Sequence, residues 1–292
     1  MDTKDWEIIT ILHQTKSLTQ AADRLYMTQP ALSVRLRNIE RFFATQVVVR
    51  GKKGVHFTRE GEILLQEAQK HLQNLRDIRD KLVDMQSTLS GELRIGATNF
   101  VTKYVLLRIM QEFKKIYPAV EFSVSTEYSK ELLPLVENGD VHVAFIRGRH
   151  SWGGESHLLF KEPVSIISKE RVTIEELPAL PMIRWKVDPS NEELLTRWWR
   201  ERFKTPPRVA MYVDRPDTCY DLVASGFGYS FLPASVLPFT TKLHQQEMFF
   251  ESRDPVERSV WMIYLPETAQ LRIVRAFVEM VRSTEFSYKS LA

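Results

Sequence analysis

The chain of 292 residues has an ordinary globular composition, with 43% hydrophobic and 26% charged residues, which argues against disorder and collagen-like repeats. The single cysteine, Cys219, excludes an internal disulfide framework and a cysteine-based zinc site. Because there is no apolar run of about 18 residues and no signal peptide, we expect a cytoplasmic protein of two or three domains with no membrane partner.

The excess positive charge lies near the N-terminus. Residues 1–86 contain fourteen basic and eleven acidic side chains, whereas residues 87–292 contain twenty-six of each. Between residues 24 and 59, eight basic side chains accompany a single acid, Glu40. This local excess is typical of a surface that binds a polyanion, although a solvated basic face is the alternative.

Apolar periodicity predicts three helices before residue 44. The first covers residues 4–15, the second is short, and the third follows Thr28, a good N-cap, with Pro30 in its first turn. The third helix has an apolar stripe made of Leu32, Leu36, Ile39 and Phe43. Two short helices and a tight turn before this one predict a helix-turn-helix.

Polar side chains near the start of the third helix point away from its apolar stripe. In a recognition helix, Gln pairs with adenine, Arg with guanine and Ser with either base, while Pro offers an apolar surface to a thymine methyl group. The predicted DNA-contacting residues of this segment are Thr28, Gln29, Pro30, Ser33 and Arg37.

Two short β-prone runs follow, at residues 47–49 and 56–57. The turn between them carries Arg50, Lys52 and Lys53, so we predict a β-hairpin wing whose tip lies on phosphates or reaches the minor groove. The alternative is an exposed hairpin that is rich in Lys for solubility.

A long helix is predicted from residue 58 to about residue 85. Its apolar positions form a narrow seam like that of a coiled coil, which suggests dimerisation through a second copy of the helix. The alternative is packing on the next domain of the same chain. The seam consists of Leu65, Ala68, Leu72, Leu75, Ile78, Leu82 and Met85. Residues 87–91 break the helix and are predicted to form a hinge.

Strands alternate with helices after Gly91, which predicts α/β subdomains with parallel sheets. Strands are expected at residues 93–97, 121–125, 141–146, 164–168, 181–185, 209–213 and 229–232. Helices are expected at residues 102–116, 130–138 and 190–203, the last opened by the capping box of Ser190 and Glu193.

Ligands of open α/β sheets bind beyond the carboxyl ends of the strands. The residues at such positions are Thr98, Asn99, Phe100, Arg147, Arg184 and Trp185. Hydroxyl, amide and guanidinium groups suit a small carboxylate or another oxyanion, although the ring of Phe100 could narrow the site. Each residue also has a structural alternative, since Thr98 could only cap a helix, Trp185 only pack, and Arg147 be solvated.

Nothing in the sequence predicts catalysis. Gly226-x-Gly228 lacks the third glycine of a dinucleotide loop, the seven histidines have no metal-ligand spacing, and Cys219 is expected to be a buried small hydrophobe. We therefore expect a DNA-binding regulator that is not an enzyme and needs no cofactor. The alternative is a solute-binding or carrier module whose basic domain serves as an assembly platform.

Several motifs resemble one known family. Ala21-Ala22-x-x-Leu25-x-x-x-Gln29-Pro30-Ala31-Leu32-Ser33-x-x-Leu36-x-x-Ile39-Glu40, Val49-Arg50 and Thr58-x-x-Gly61 are similar to the winged helix-turn-helix of LysR-type transcriptional regulators. Gly96-Ala97-Thr98 and Val223-x-x-Gly226-x-Gly228-x-x-Phe231-Leu232-Pro233 resemble the effector domain of the same family. Ala44 departs from the pattern where the family prefers glycine, so the turn after the recognition helix is expected to be strained. Val34 replaces a basic or polar residue, and we do not transfer its role to Arg35.

The resemblance implies an architecture and partners. It implies an α/β protein with an N-terminal all-α winged helix-turn-helix (1–58), a dimerising linker helix (59–86), a hinge (87–91) and an effector domain (92–292). That domain is similar to periplasmic solute-binding proteins, with subdomain I at about 92–162 and 265–292 and subdomain II at about 163–264. The expected partners are double-stranded DNA with inverted-repeat half-sites, a small anionic effector between the subdomains, and further copies of the chain as a homodimer or a tetramer of two dimers.

Overall fold

The computed structural model describes residues 1–51, 54–148, 150–237 and 242–287, with the side chains of Arg50 and Ser190 also left out. The chain divides into two compact units, Met1–Met85 and Gln86–Ala292. No helix within the described ranges is both long and apolar enough to cross a membrane.

The first unit contains four helices and one hairpin. Its elements are α1 (Thr3–Thr15), α2 (Leu18–Arg24), α3 (Gln29–Phe42), β1 (Val48–Gly51), β2 (Gly54–Phe57) and α4 (Arg59–Asp84). The two strands pair antiparallel and close one core together with the helices. The predicted helix-turn-helix and wing are therefore confirmed as structural elements, while Lys52 and Lys53 lie outside the described residues.

Close backbone approaches explain two of the family motifs. The hydroxyl of Thr58 caps α4 by accepting from the amide of Gly61 at 2.9 Å. A Cβ at Gly61 would collide with the carbonyl oxygen of Val47, so only glycine fits there. The carboxylate of Glu40 accepts from the amide of Val47 at 2.9 Å, which ties the end of α3 to the start of the hairpin.

The turn after α3 is strained, as predicted. Ala44 has a φ of 49°, in the left-handed region where a Cβ is unfavourable. Its amide donates to the carbonyl oxygen of Arg41 at 3.2 Å, so this backbone conformation is part of the helix ending.

The linker helix has two halves with different surroundings. Leu65 and Ala68 are buried in the core of the first unit, so their assignment to an intermolecular seam was wrong. The apolar side chains beyond them remain exposed within the chain, with Leu75 at 38%, Ile78 at 55%, Leu82 at 62% and Met85 at 83%. The seam that is left for a partner is therefore Leu72 to Met85.

The second unit is a mixed α/β structure. Its strands are β3 (Gly91–Ala97), β4 (Val120–Thr126), β5 (Val143–Arg147), β6 (Glu155–Ser168), β7 (Met182–Trp185), β8 (Val209–Val213), β9 (Ser230–Pro233), β10 (His244–Glu247) and β11 (Glu257–Tyr264). Its helices are α5 (Asn99–Val101), which continues through a π-helical segment (Thr102–Leu106) into α6 (Leu107–Ile116), then α7 (Ser129–Glu137), α8 (Pro189–Arg202), α9 (Pro216–Ala224) and α10 (Arg272–Ser283). Short 3₁₀ turns cover Ile174–Glu176, Ala234–Val236 and Thr268–Gln270. Gly91, predicted in the hinge, begins β3.

The prediction of parallel sheets was only partly right. Strands β4, β3 and β5 are parallel neighbours, and β7 is parallel to β8. Strand β11 instead lies antiparallel between β5 and β6, and β9 and β10 are antiparallel to β6. Within the described residues, no helix lies between β5 and β6 or between β10 and β11. Consecutive strands joined without a crossover helix can pair antiparallel.

Two groups of apolar clusters form two cores in this unit, in agreement with two α/β subdomains. One core combines β3 to β5 with Val260, Met262 and Phe277, whereas the other contains Val164, Trp198 and Val256. The 14-residue strand β6 contributes to both cores. Since Val260 already packs in the first core, the chain returns to subdomain I before the predicted boundary at residue 265.

Helix α8 begins one residue earlier than predicted. Pro189 occupies its first turn and Asp188 is its N-cap residue, so the capping role predicted for Ser190 is wrong. Proline is favoured at the first helical position because its missing amide proton is not needed there. Asp188 therefore lies between the end of β7 and the first residue of α8.

Candidate nucleic-acid interface and ligand cavity

The start of α3 presents the predicted base-reading residues in two layers. Pro30 and Arg37 are exposed, and Thr28 caps the helix by accepting from the amide of Ala31 at 3.3 Å. Ser33 is buried, and its hydroxyl accepts from Nε2 of Gln29 at 3.2 Å. The prediction of a direct base contact by Ser33 is therefore wrong in this structure, where Ser33 orients Gln29 instead.

Arg35 and Arg37 differ in availability although they lie on the same helix. Arg35 makes ion pairs with Asp2 at 3.0 Å and Asp5 at 2.7 Å, and this contact lowers the pKa of Asp2. Arg37 is exposed and has no ion pair within the described part of the chain. Val34 is half exposed on the same side as Arg37. The exposed face thus combines an apolar patch with one available guanidinium.

Tyr26 was missed as a candidate contact. It lies in the turn before α3 with a φ of 54°, and 98% of its side chain is exposed. A bulky aromatic residue in a left-handed turn is unusual, and neither this conformation nor the exposure could be read from the sequence. The wing packs closely on the end of α1, since a Cβ at Gly54 would collide with the carbonyl oxygen of Lys16.

The second unit contains a cavity of about 640 Å³ lined by residues from both cores. Five of the six predicted effector residues line it: Thr98, Asn99, Phe100, Arg147 and Trp185. Its size lies within the usual range for sites that hold small molecules.

Thr98 and Trp185 are more than capping and packing residues. The hydroxyl of Thr98 makes no capping hydrogen bond, and this buried oxygen has no hydrogen-bond partner among the described residues. Trp185 packs in the core of the second subdomain and donates from Nε1 to the carbonyl oxygen of Phe231 at 3.0 Å. Its ring also lines the cavity.

Arg147 is buried rather than solvated. Its guanidinium lies 3.9 Å from the centroid of the Phe100 ring, so the phenyl group covers one face of the cation. Burial and the charge of Arg258 lower the pKa of Arg147 to about 9, so it remains protonated at neutral pH. Its Nε atom has no hydrogen-bond partner within the described ranges. Phe100 therefore narrows the approach to Arg147 and leaves the edge of the guanidinium as the donor.

Behind Arg147 lies a buried charge cluster that the sequence did not reveal. Glu162 accepts from Arg258 at 2.5 Å, lies 4.0 Å from Nη2 of Arg147, and accepts from the amide of Ser235 at 3.3 Å. Burial opposes ionisation of Glu162, but the charges of Arg258 and Arg147 outweigh it and lower the pKa. Glu162 lies on β6 and Arg258 on β11, the strand that pairs with β6. The cluster therefore positions Arg147 through these two neighbouring strands.

The predicted role of Arg184 is not supported by its position. Its side chain forms an ion pair with Glu192 of α8 and lines a separate cavity of about 300 Å³. Ile183, Arg184 and Trp185 all line this smaller cavity, and of these three residues only Trp185 also lines the larger one. Sequence reasoning missed the cations Lys103, Lys186 and Arg215 of the larger cavity, and of these Lys186 lies 5.0 Å from the centroid of the Tyr128 ring.

Comparisons with known proteins identify the family. The model of the LysR substrate binding domain matches residues 86–285, and that of the bacterial regulatory helix-turn-helix protein of the lysR family matches residues 3–62. The chain belongs to the LysR family of transcriptional regulators. It is 35% identical over 285 residues to the uncharacterized HTH-type transcriptional regulator YraN of Bacillus subtilis (strain 168), covering 98% of this chain and 99% of YraN.

A further relative is similar over nearly the whole chain, and two solved structures share the fold. The uncharacterized HTH-type transcriptional regulator YkuM of Bacillus subtilis (strain 168) is 27% identical, with 97% of each chain covered. Full-length CbnR in complex with its target DNA matches with a TM-score of 0.66 at 19% identity, covering 97% of this chain and 99% of CbnR. The full-length Vibrio cholerae virulence activator AphB matches with a TM-score of 0.61 at 15% identity, covering 98% of this chain and 100% of AphB. The protein is thus a LysR-type DNA-binding transcriptional regulator with an effector-binding domain.

Proposed function

We propose that this LysR-type regulator reads an inverted-repeat operator with the N-terminal part of α3 and responds to a small carboxylate or oxyanion in the 640 Å³ cavity. The observation that carries the first part is the face of α3 on which Gln29 is half-buried and Arg37 is exposed. Gln29, oriented by Ser33, can pair with adenine, and Arg37 can pair with guanine. Thr28, Pro30, Val34 and Tyr26 supply backbone and apolar contacts around them. Arg50, Lys52 and Lys53 add phosphate contacts in this proposal.

The proposed assembly is a homodimer through the exposed apolar seam of α4. The side chains of Leu72, Leu75, Ile78 and Leu82 recur three or four residues apart, which suits packing against a second helix. A two-fold dimer presents two copies of α3 and predicts two half-sites. A dimer of dimers and a cytoplasmic location, where bacterial DNA lies, complete the proposal.

The proposed effector site uses the donors that converge on the cavity. Nε of Arg147 and the hydroxyl of Thr98 are buried donors without hydrogen-bond partners in the described chain, which suits a carboxylate oxygen. A ligand that binds one arrangement of the two subdomains more tightly would shift their populations, and with them the spacing of the recognition helices. Residues 85–90, between α4 and β3, are the proposed hinge.

One titration tests the two halves of this proposal. Fluorescence anisotropy of the full-length protein with the DNA upstream of its own gene, against a scrambled duplex, measures sequence preference. We expect preferential binding that depends on Gln29 and changes with a small carboxylate. Equal affinity for both duplexes would contradict the assignment of α3 as the reading helix. If DNA binding by Thr98→Ala and by the wild type responded equally to every effector concentration, the assignment of the cavity as the effector site would be contradicted.

A further inference from the structure

Asp188 is a buried carboxylate with no partner in the effector cavity. It is more than nine-tenths buried, it lines the cavity, and Oδ1 has no hydrogen-bond partner among the described residues. An isolated carboxylate in such a position is costly unless a hydrogen-bond donor or a cation is supplied.

The usual role of an aspartate at this position does not account for it. Asp188 is the N-cap residue of α8, and such residues normally accept from the first amides of the helix through the side chain. Here the carbonyl oxygen of Asp188 accepts from the amides of Asn191 and Glu192, both at 3.0 Å, and the side chain makes no capping bond. The carboxylate of Asp188 therefore takes no part in capping α8.

The nearest positive charges are also engaged elsewhere. Arg258 binds Glu162, and Arg147 stacks on Phe100, while Asp188 makes no ion pair with either in the part of the chain that the structure describes. Arg147 and Thr98 still have unpartnered donors that line the same cavity. The cavity thus offers one buried acceptor beside two buried donors.

The overall charge of the lining points in the same direction. Its cations are Lys103, Arg147, Lys186 and Arg215, and its acids are Glu127, Asp188, Asp214 and Asp217. Four positive and four negative groups give no net preference for an anion. A purely anionic ligand would satisfy the donors but bring its charge close to Asp188.

We propose that Asp188 forms a second subsite that binds the ammonium group of the effector, so that the effector is an amino carboxylate. Its carboxylate binds Arg147 and Thr98, and its ammonium group donates to Asp188. This inference rests on the proposed effector site and narrows its ligand from anions to zwitterions. Burial raises the pKa of Asp188, as expected for a carboxylate whose positive partner is the ligand.

The test compares ligands that differ in one group at a time. Isothermal titration calorimetry of the full-length protein is run with the twenty standard L-amino acids. Each one, whether or not it binds, is compared with its deaminated acid and its decarboxylated amine, for instance L-leucine with 4-methylpentanoate and 3-methylbutylamine. We expect both truncated ligands to bind roughly tenfold or more weakly than the amino acid, since each loses a charge-assisted hydrogen bond.

If the subsite exists, Asp188→Asn should abolish or reverse the preference for the amino acid over its deaminated acid. The variant should bind the amino acid at least roughly tenfold more weakly and the deaminated acid as well as, or better than, the wild type, because a like charge has been removed. Glu193→Gln, which removes an exposed carboxylate from the same helix, is the matched control and should change neither affinity.

The outcomes separate this subsite from the wider proposal. If deaminated acids bind as tightly as amino acids and Asp188→Asn changes neither, the ammonium subsite is wrong and the anion site stands. That result is also expected if Asp188 only pairs with the buried amide of Asn191. If neither class of ligand binds the wild type, the effector site itself is wrong.

Discussion

Arg35 donates from Nη1 to Oδ1 of Asp5 over 2.7 Å, so a basic side chain of the recognition helix is held by the start of the first helix. This arrangement separates two arginines that look equivalent in the sequence. Arg35 has a structural partner, whereas Arg37 is exposed on the proposed DNA face.

We expect Arg37→Ala to lose about 1–3 kcal/mol of discrimination between the cognate site and random DNA, because a base contact is removed. Arg35→Ala is the matched control, which should lower thermal stability slightly and leave the ratio of cognate to random affinity unchanged. Anisotropy titrations with both duplexes measure the ratio. A larger loss of discrimination in Arg35→Ala than in Arg37→Ala would contradict the assigned face.

The strained turn at Ala44 predicts opposite effects of two substitutions. Ala44→Gly should raise the free energy of unfolding by about 1 kcal/mol, because glycine adopts a φ of 49° without strain. Ala44→Val should lower it, since a β-branched residue is less tolerated there. Denaturant unfolding of the full-length variants measures both, and a stabilising valine would show that strain at this position is not limiting.

The apolar seam of α4 predicts a change in assembly. Leu75→Glu should weaken dimerisation and operator binding together, because a charge would be buried in the helix contact. Gln66→Glu adds the same charge to the opposite, exposed face of α4, nine residues away, and should leave assembly unchanged. Sedimentation velocity over a range of concentrations distinguishes them. An undisturbed dimer in Leu75→Glu would move the interface elsewhere.

Glu162 should be needed for folding of the effector domain. Glu162→Gln removes the negative charge and leaves Arg258 and Arg147 buried without a carboxylate partner. We expect the free energy of unfolding to fall by about 3–5 kcal/mol. Replacement of Glu162 and Arg258 together by methionine should cost less than the single change, and thermal unfolding compares the three proteins. Equal stability of wild type and Glu162→Gln would show that the cluster contributes little.

The raised pKa of Asp188 predicts a pH-dependent difference from Asp188→Asn in the absence of ligand. A carboxyl whose folded pKa lies above the unfolded value of 3.8 favours folding when protonated, and this contribution is lost as pH rises through the folded pKa. The variant should therefore be more stable than the wild type at pH 7, with the difference shrinking toward pH 4. The charges that act on Asp188 are Arg147, Arg258, His150 and Glu131. Melting temperatures across this range measure the difference, and a pH-independent difference would contradict the shift.

Local patterns predicted much of the first unit, because helix stripes, caps and turn residues act within a few positions of each other. Thr58, Gly61 and Ala44 behave as their sequence context indicated. Ser33 was misplaced because a helical wheel gives the direction of a side chain but not the local packing that buries it.

The sequence predicted the cavity residues at the ends of strands but not the buried charge cluster behind them. Strand-end reasoning found Thr98, Phe100 and Arg147, while the ion pair that holds Arg184 against Glu192 of α8 could not be read from its position in the strand. The pairing of Glu162 with Arg258 spans 96 residues, and no local pattern reports such a contact. The antiparallel return of β11 was missed for the same reason, since strand direction depends on connections that composition does not reveal.

Helix α10 supplies Ile273, Val274, Phe277, Val278 and Val281 to a core that begins with Leu93. During synthesis on the ribosome, this core therefore stays open until nearly the whole chain has emerged. A nonsense mutation or a proteolytic cut just before Arg272 would remove α10. The apolar face of the sheet formed by β3, β4 and β5 would then be exposed, which favours aggregation of the truncated product.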